Sequence, residues 1–445
     1  MGLRLFNTMG RELQDFVPLN GKTVGMYGCG PTVYNYAHIG NLRAYVFQDV
    51  LVRTLRWLGY DVKHAMNITD VGHLSGDVDT GEDKMVKSAQ ERGKSVLEIA
   101  EFYTDAFFND TSRLNIKRPD IVCKATEHIL DMIELIKKIE ANGYTYSAGG
   151  NLYFDVSKFP EYGKLARLRL DDMQAGARVD VDENKRNPFD FVLWFTKSKF
   201  ENQALVWDSP WGRGYPGWHI ECSAMSMKYL GEQFEIHTGG IDHISIHHTN
   251  EIAQSESATK KQWVKYWMHN EFLVMDKGKM SKSSGSFLIL QTLIDAGYDP
   301  LDYRYFLLGG HYRAQLQFNY DSLDTAKSSR ASLMEKIWAL RGKAEPVPIS
   351  KGAVAADGPA IGPGVQAHLD AFQAAMEDDL NTPRALAELY TVLKDASLSA
   401  GEMLGLLAEF DKVLGLALLT EERKSVELPP ETVAKIEALV AERVQ

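Results

Sequence analysis

Three scarcities bound what this 445-residue chain can be. Cysteine occurs only as Cys29, Cys123 and Cys222, too little for a disulfide framework at this length. Cys29 and Cys222 therefore read as reduced thiols available to metal or substrate, and Cys123, within Ile121-Val122-Cys123-Lys124, as a small core residue. Long apolar runs are missing. None approaches the ~18–20 residues of a membrane span, and no signal-peptide core follows Met1-Gly2-Leu3-Arg4. A cytoplasmic protein with no membrane partner is expected. An excess of positive charge is missing too: 49 Lys and Arg against 60 Asp and Glu leave −11, which argues against coating nucleic acid by global electrostatics. Any RNA contact must use local patches, and the short basic runs Lys117-Arg118, Arg167-Leu168-Arg169 and Lys260-Lys261 read first as solvated faces.

What remains, 44% hydrophobic and 24% charged, is ordinary globular composition with length for two or three domains. The organising stretch is Tyr27 to Asn41. Val24-Gly25-Met26-Tyr27 reads as a buried strand, Cys29-Gly30-Pro31 as a turn, and Val46, Phe47, Val50, Leu51, Leu55 and Leu58 recur at helical spacing until Gly59. Asp61 to Asn67 reads as a second strand, with Thr69 just beyond it. This is one βαβ unit of a doubly wound sheet, where ligands sit off the carboxyl ends of strands and phosphates sit against helix N-termini. His38 and Asn41 are thereby placed where a nucleotide triphosphate would lie.

Downstream, Lys84 to Asn142 has a helical pattern and Tyr144 to Lys199 turns to short strands. The polar loop 71–83 has acidic residues, but their spacing does not fit an EF-hand and it reads as a surface loop. Ile220 to Leu230 reads as a helix, and Phe234 to Thr238 as a strand running into Gly239-Gly240-Ile241-Asp242. Glycines there allow close approach of a flat ligand, and Asp242 either accepts from ribose hydroxyls or caps a turn. The strand Phe272 to Met275 leads into a glycine-flanked segment, Lys279-Met280-Ser281-Lys282-Ser283. Beyond it the pattern is helical: Leu323 to Leu340, then an Ala/Gly/Pro-rich linker from Lys343 to Gly364, then helices opened by Thr382-Pro383, over Glu402 to Leu416 and over Glu431 to Val444.

His38-Ile39-Gly40-Asn41 with Lys279-Met280-Ser281-Lys282-Ser283 resembles the signature pair of class I aminoacyl-tRNA synthetases. Cys29-Gly30-Pro31-Thr32-Val33-Tyr34, Pro216-Gly217-Trp218-His219-Ile220-Glu221-Cys222 and His247-His248-Thr249-Asn250-Glu251 resemble the cysteinyl-tRNA synthetase family in particular, in the same order and over nearly the whole chain. Tyr215 stands where that family more often has Arg. The resemblance implies an α/β fold. A split Rossmann-like parallel-sheet catalytic domain (1–70 and 215–300) would hold an inserted connective-peptide subdomain (71–214), followed by junction helices (301–342) and an all-α tRNA-binding bundle (365–445). Related enzymes usually continue into a small anticodon-contacting module, so anticodon reading is not expected of these residues.

The same resemblance implies a Zn²⁺ site on Cys29, Cys222, His247 and Glu251, a set that can close tetrahedrally. Spacing alone leaves His248 open beside His247, and the family pattern selects His247. It further implies a cysteine pocket with Thr69, Trp218 and His219, nucleotide contact at Gly239, Gly240 and Asp242, and ATP with Mg²⁺ handled by His38, Asn41, Lys279 and Lys282. The expected partners are L-cysteine, ATP and tRNA(Cys), and a monomer is the expected state. Ligation of cysteine to a small amine, and a non-catalytic regulatory relative, are the alternatives.

Overall fold

The computed structural model describes residues 2–71, 84–167, 183–197, 205–275, 278–279, 287–349 and 362–423. The chain opens with a small antiparallel hairpin, β1 Arg4–Asn7 and β2 Glu12–Asp15. It then enters β3 Thr23–Gly28, α1 Ile39–Trp57 and β4 Asp61–Ile68, the βαβ unit read from the sequence. β3 and β4 are parallel, in register from Thr23 with Asp61 to Gly28 with Met66.

The helical pattern from Lys84 onward resolves into α2 Lys84–Arg92 and α3 Val96–Arg113, the second opened by a reciprocal Ser95–Glu98 capping box. Here the structure corrects the continuous helical reading. Residues Ile121–Lys124 form β5, parallel to β4 and paired from Ala65 with Ile121 to Ile68 with Lys124, before α4 Ile129–Ala141. The expected insertion 71–214 therefore contains a strand of the central sheet. Four residues bounded by Pro119, Asp120 and a short helical turn are too few to show a period of two. Cys123 is buried within that strand, its thiol donating to the Met66 carbonyl at 3.4 Å.

An antiparallel sheet follows, in the order β6 Thr145–Ala148, β7 Asn151–Phe154, β8 Phe191–Phe195 and β9 Tyr215–Pro216. From it the chain returns through α5 Trp218–Leu230, β10 Phe234–Gly240, α6 His247–Thr259 and β11 Val264–Asn270. The central sheet is parallel throughout and ordered β11-β10-β3-β4-β5. Its direction of winding reverses between β3 and β10, so the crevice off their carboxyl ends is the topological switch point. β10 is buried along six of its seven residues and yet includes Glu235; the Leu19 and Gly25 amides satisfy that carboxylate at 2.9 and 2.6 Å.

β12 Leu273–Met275, β13 Gly278–Lys279, α7 Leu290–Asp295, α8 Pro300–Leu308, β14 Leu316–Phe318 and α9 Tyr320–Arg341 then lead to three helices, α10 Pro363–Glu377, α11 Thr382–Val392 and α12 Ala400–Leu414. Their apolar faces share one core with α1. A buried ionic knot fastens this junction. Asp49 on α1 takes Arg53 at 2.7 Å and Arg304 of α8 at 2.6 Å, while the two guanidiniums donate to the carbonyls of Leu114, Asn115, Lys412 and Leu414. The helix expected over Glu431 to Val444, the loop 72–83 and Lys282 lie outside the described residues.

Candidate active site and metal centre

Four side chains from three elements meet at the switch point. Cys29 follows β3, Cys222 sits in the second turn of α5, and His247 and Glu251 are one turn apart on α6. One ligand atom from each lies within 4.8 Å of all the others, and all four residues are buried. Their positions follow from local packing. A Cβ on Gly217, at the start of α5, would stand 2.1 Å from the Val192 carbonyl, so the helix begins hard against β8 and aims Cys222 at the sheet. Gly30 is tighter still: its Cβ would lie 1.7 Å from the Asn67 carbonyl oxygen, while its own amide donates to the Asn67 side chain at 2.8 Å.

Burial and mutual contact perturb the titration of all four side chains. Burial pushes the Glu251 carboxyl up, but His237 and His247 overcome it and hold the group at about 2. Burial pushes His247 down, and Glu251 with Cys222 brings it up to about 10. The Cys222 thiol is lowered to about 6, chiefly by its hydrogen bond with Cys29, whereas burial raises Cys29. A divalent cation held by these side chains would displace protons from Cys29 and His247. Glu251 Oε2 accepts from His237 Nε2 at 2.8 Å. Its buried Oε1 faces His247 Nε2 at 2.9 Å, an ion pair one turn apart on α6.

A second quartet overlaps the first. Cys29, His237, His248 and Glu251 also fall within 4.8 Å of one another, with His248 Nε2 3.3 Å from the Cys29 sulfur and Nδ1 2.8 Å from His269 Nε2. His269 reaches Thr8 at 2.8 Å. Sequence reasoning assigned no role to His237 or His269. The available signal was a histidine near the carboxyl end of each of two neighbouring parallel strands, since Gly239 is in register with His269.

The expected cysteine-pocket residues surround this centre. Trp218 lies over His247 with ring centroids 4.2 Å apart, and His219 meets His247 through their Nδ1 atoms at 2.9 Å. Thr69 donates to Glu221 at 3.0 Å and accepts from Asn67 at 3.0 Å. For Gly239 the structure gives a reason other than ligand approach. A side chain there would strike His243 at 2.6 Å and His248 at 2.7 Å, so the glycine makes room for the histidine nest. Asp242 is exposed on the turn after β10, and its carboxylate fills the space a Gly240 side chain would take.

At the neighbouring helix start, His38 and Asn41 form a reciprocal capping box on α1: the Asn41 amide donates to His38 Nδ1 at 3.0 Å and the His38 amide to Asn41 Oδ1 at 3.2 Å. The flanks of the lysine segment converge there. Lys279 on β13 pairs with Val274 of β12, Leu273 stands 3.8 Å from where a Gly40 Cβ would be, and the Ile39 amide donates to the Leu288 carbonyl at 2.8 Å.

Comparison with known proteins settles the family. The tRNA synthetases class I (C) catalytic domain matches residues 15–328, and the DALR domain matches residues 371–419. The cysteine–tRNA ligase of Treponema denticola is 61% identical, covering 98% of this chain and 92% of that protein. The chain belongs to the cysteine–tRNA ligase family. The ligase of Treponema pallidum (strain Nichols) is 48% identical, over 96% of this chain and 87% of its own. Among solved structures, a Mycobacterium tuberculosis methionyl-tRNA synthetase in complex with methionyl-adenylate superposes with a TM-score of 0.58, at 16% identity, covering 89% of this chain and 90% of that one. That likeness is one of fold, and it agrees with a class I parallel-sheet core followed by a helical region in this member of the cysteine–tRNA ligase family.

Proposed function

We propose that the chain activates L-cysteine with ATP and transfers it to tRNA(Cys), with Zn²⁺ held by Cys29, Cys222, His247 and Glu251 as the element that recognises the substrate sulfur. The observation that carries this reading is the meeting of two thiols, an imidazole and a carboxylate at the switch point, beside the helix start that holds His38 and Asn41. Of the two overlapping quartets, the one with both cysteines better suits zinc, and it leaves His237 to orient Glu251. When bound, zinc supplies a Lewis acid that prefers a thiolate to a hydroxyl.

The chain's own residues do the rest. Trp218 and His219 fix the His247 ring, and Thr69 with Glu221 walls the adjacent space. His38 and Asn41 hold the α1 N-terminus, whose positive dipole end favours triphosphate oxygens nearby. Lys279 and Lys282 supply positive charge where negative charge builds on the leaving pyrophosphate, with Mg²⁺ on the phosphates. The DALR match supports tRNA over a small amine as the acceptor. Cysteine-dependent ATP–pyrophosphate exchange followed by charging of tRNA(Cys) tests the reading. Exchange without charging would point to another acceptor, and neither activity would overturn it.

A further inference from the structure

One aromatic cluster beside the segment that leads into His38 has no part in the scheme above. In a chain of net charge −11, residues 84–94 hold Lys84, Lys87, Arg92 and Lys94 against the single acid Glu91. On the helix that follows, Phe102 is 42% exposed, while the opposite face of α3 is buried against Val33 and Ile68. Tyr36 and Tyr103 meet the Phe102 ring edge-on at 6.0 and 5.1 Å, so the ring is held in place. Lys94 Nζ stands 5.3 Å from the Phe102 centroid, and Arg92 Cζ lies 5.3 Å from that of Tyr103. Tyr36 is two residues before His38, a chain distance of at most ~7 Å. A fixed, half-exposed aromatic face with cations beside it is the chemistry that binds single-stranded nucleic acid.

We infer that Phe102, flanked by Tyr36 and Lys94, is a stacking platform for an unpaired nucleotide of the tRNA 3′ end. The inference rests on the tRNA-charging reading above. The terminal ribose hydroxyl must reach an adenylate formed beside His38, so the single strand that bears it crosses the surface just before that residue. A base would stack against Phe102, and Lys94, over the Phe102 ring, with Arg92, over that of Tyr103, would bring positive charge to its phosphates.

The test uses the full chain with Phe102→Ala, Phe102→Leu and Phe102→Trp, read by three measurements: cysteine-dependent pyrophosphate exchange, KM for tRNA in charging, and binding of intact tRNA against tRNA trimmed of its unpaired 3′ nucleotides. Phe102→Ala and Phe102→Leu should keep wild-type exchange, raise KM for intact tRNA roughly tenfold, the scale of one lost base–aromatic stack, and leave binding of trimmed tRNA unchanged. Phe102→Trp should restore charging. The inference is overturned if Phe102→Leu behaves as wild type, since bulk against Tyr36 would then suffice, or if intact and trimmed tRNA weaken equally. A wild-type chain that fails in exchange would instead overturn the functional reading itself.

Discussion

Glu251 concentrates the chemistry of the metal centre in one side chain. Fully buried, it stays ionised because His237 and His247 face its two oxygens. Cys222→Ser and Glu251→Gln should each reduce bound zinc from about one per chain to a small fraction, measured by elemental analysis of the purified protein. His237→Phe keeps the four ligands and removes the group that orients Glu251. It should weaken zinc affinity by about 10–100-fold in chelator competition, and an unchanged affinity would move the site to other residues. Gly30 makes a separate point. Its Cβ would fall 1.7 Å from a backbone oxygen that cannot swing away, so Gly30→Ala should destabilise the fold by at least about 1–3 kcal/mol in urea denaturation. At this scale the family motif named the candidate ligands and selected His247 over His248, a choice that spacing alone left open. The two are adjacent on one helix, and their separate partners, His219 and His269, come from distant segments.

Among elements, the first βαβ unit was readable because nineteen residues of α1 carry a sustained apolar face and an eight-residue strand follows. β5 was not, because a four-residue strand shows no period and its identity comes from β4 beside it. The same contrast separates α10 and α11 from what joins them. His368 on α10 is gripped by Glu388 at 2.5 Å and Asp395 at 3.0 Å, a pairing across the bundle that no spacing rule gives. Burial would lower the His368 pKa, but the two carboxylates raise it. A histidine whose folded pKa is raised contributes stability in full below its unfolded value of about 6.5, and that contribution fades as pH rises through the folded pKa. His368→Gln should therefore cost most stability near pH ~5–6 and progressively less above neutrality. Thermal denaturation of both proteins across that range checks it, and a pH-independent difference would contradict it.

Over the whole molecule, the catalytic sheet and the helical bundle are one folded body through the Asp49–Arg53–Arg304 knot. Arg304 is fully buried and ties α1 to the ends of α3 and α12. Arg304→Ala leaves Asp49 with Arg53 and the Lys117 amide but without its second guanidinium, and leaves carbonyls of two helix ends without a donor, a change worth about 3–5 kcal/mol. Loss of cooperativity in the unfolding curve should accompany it, with the bundle region cut first in limited proteolysis. The architecture joining these parts was legible as strand, helix and linker order, because the first βαβ unit carries a sustained periodic pattern. The knot was not, since its members are 255 residues apart. The central claim, that zinc on the four converging side chains reads the substrate sulfur, is tested most directly by ATP–pyrophosphate exchange with cysteine and serine in parallel on zinc-quantified protein. Serine should be rejected by far more than the ~10–200-fold that a size-measuring pocket achieves, and Cys222→Ser should lose cysteine activation together with its zinc; serine activation within about a hundredfold of cysteine, or full cysteine activation in the zinc-free variant, would contradict the claim.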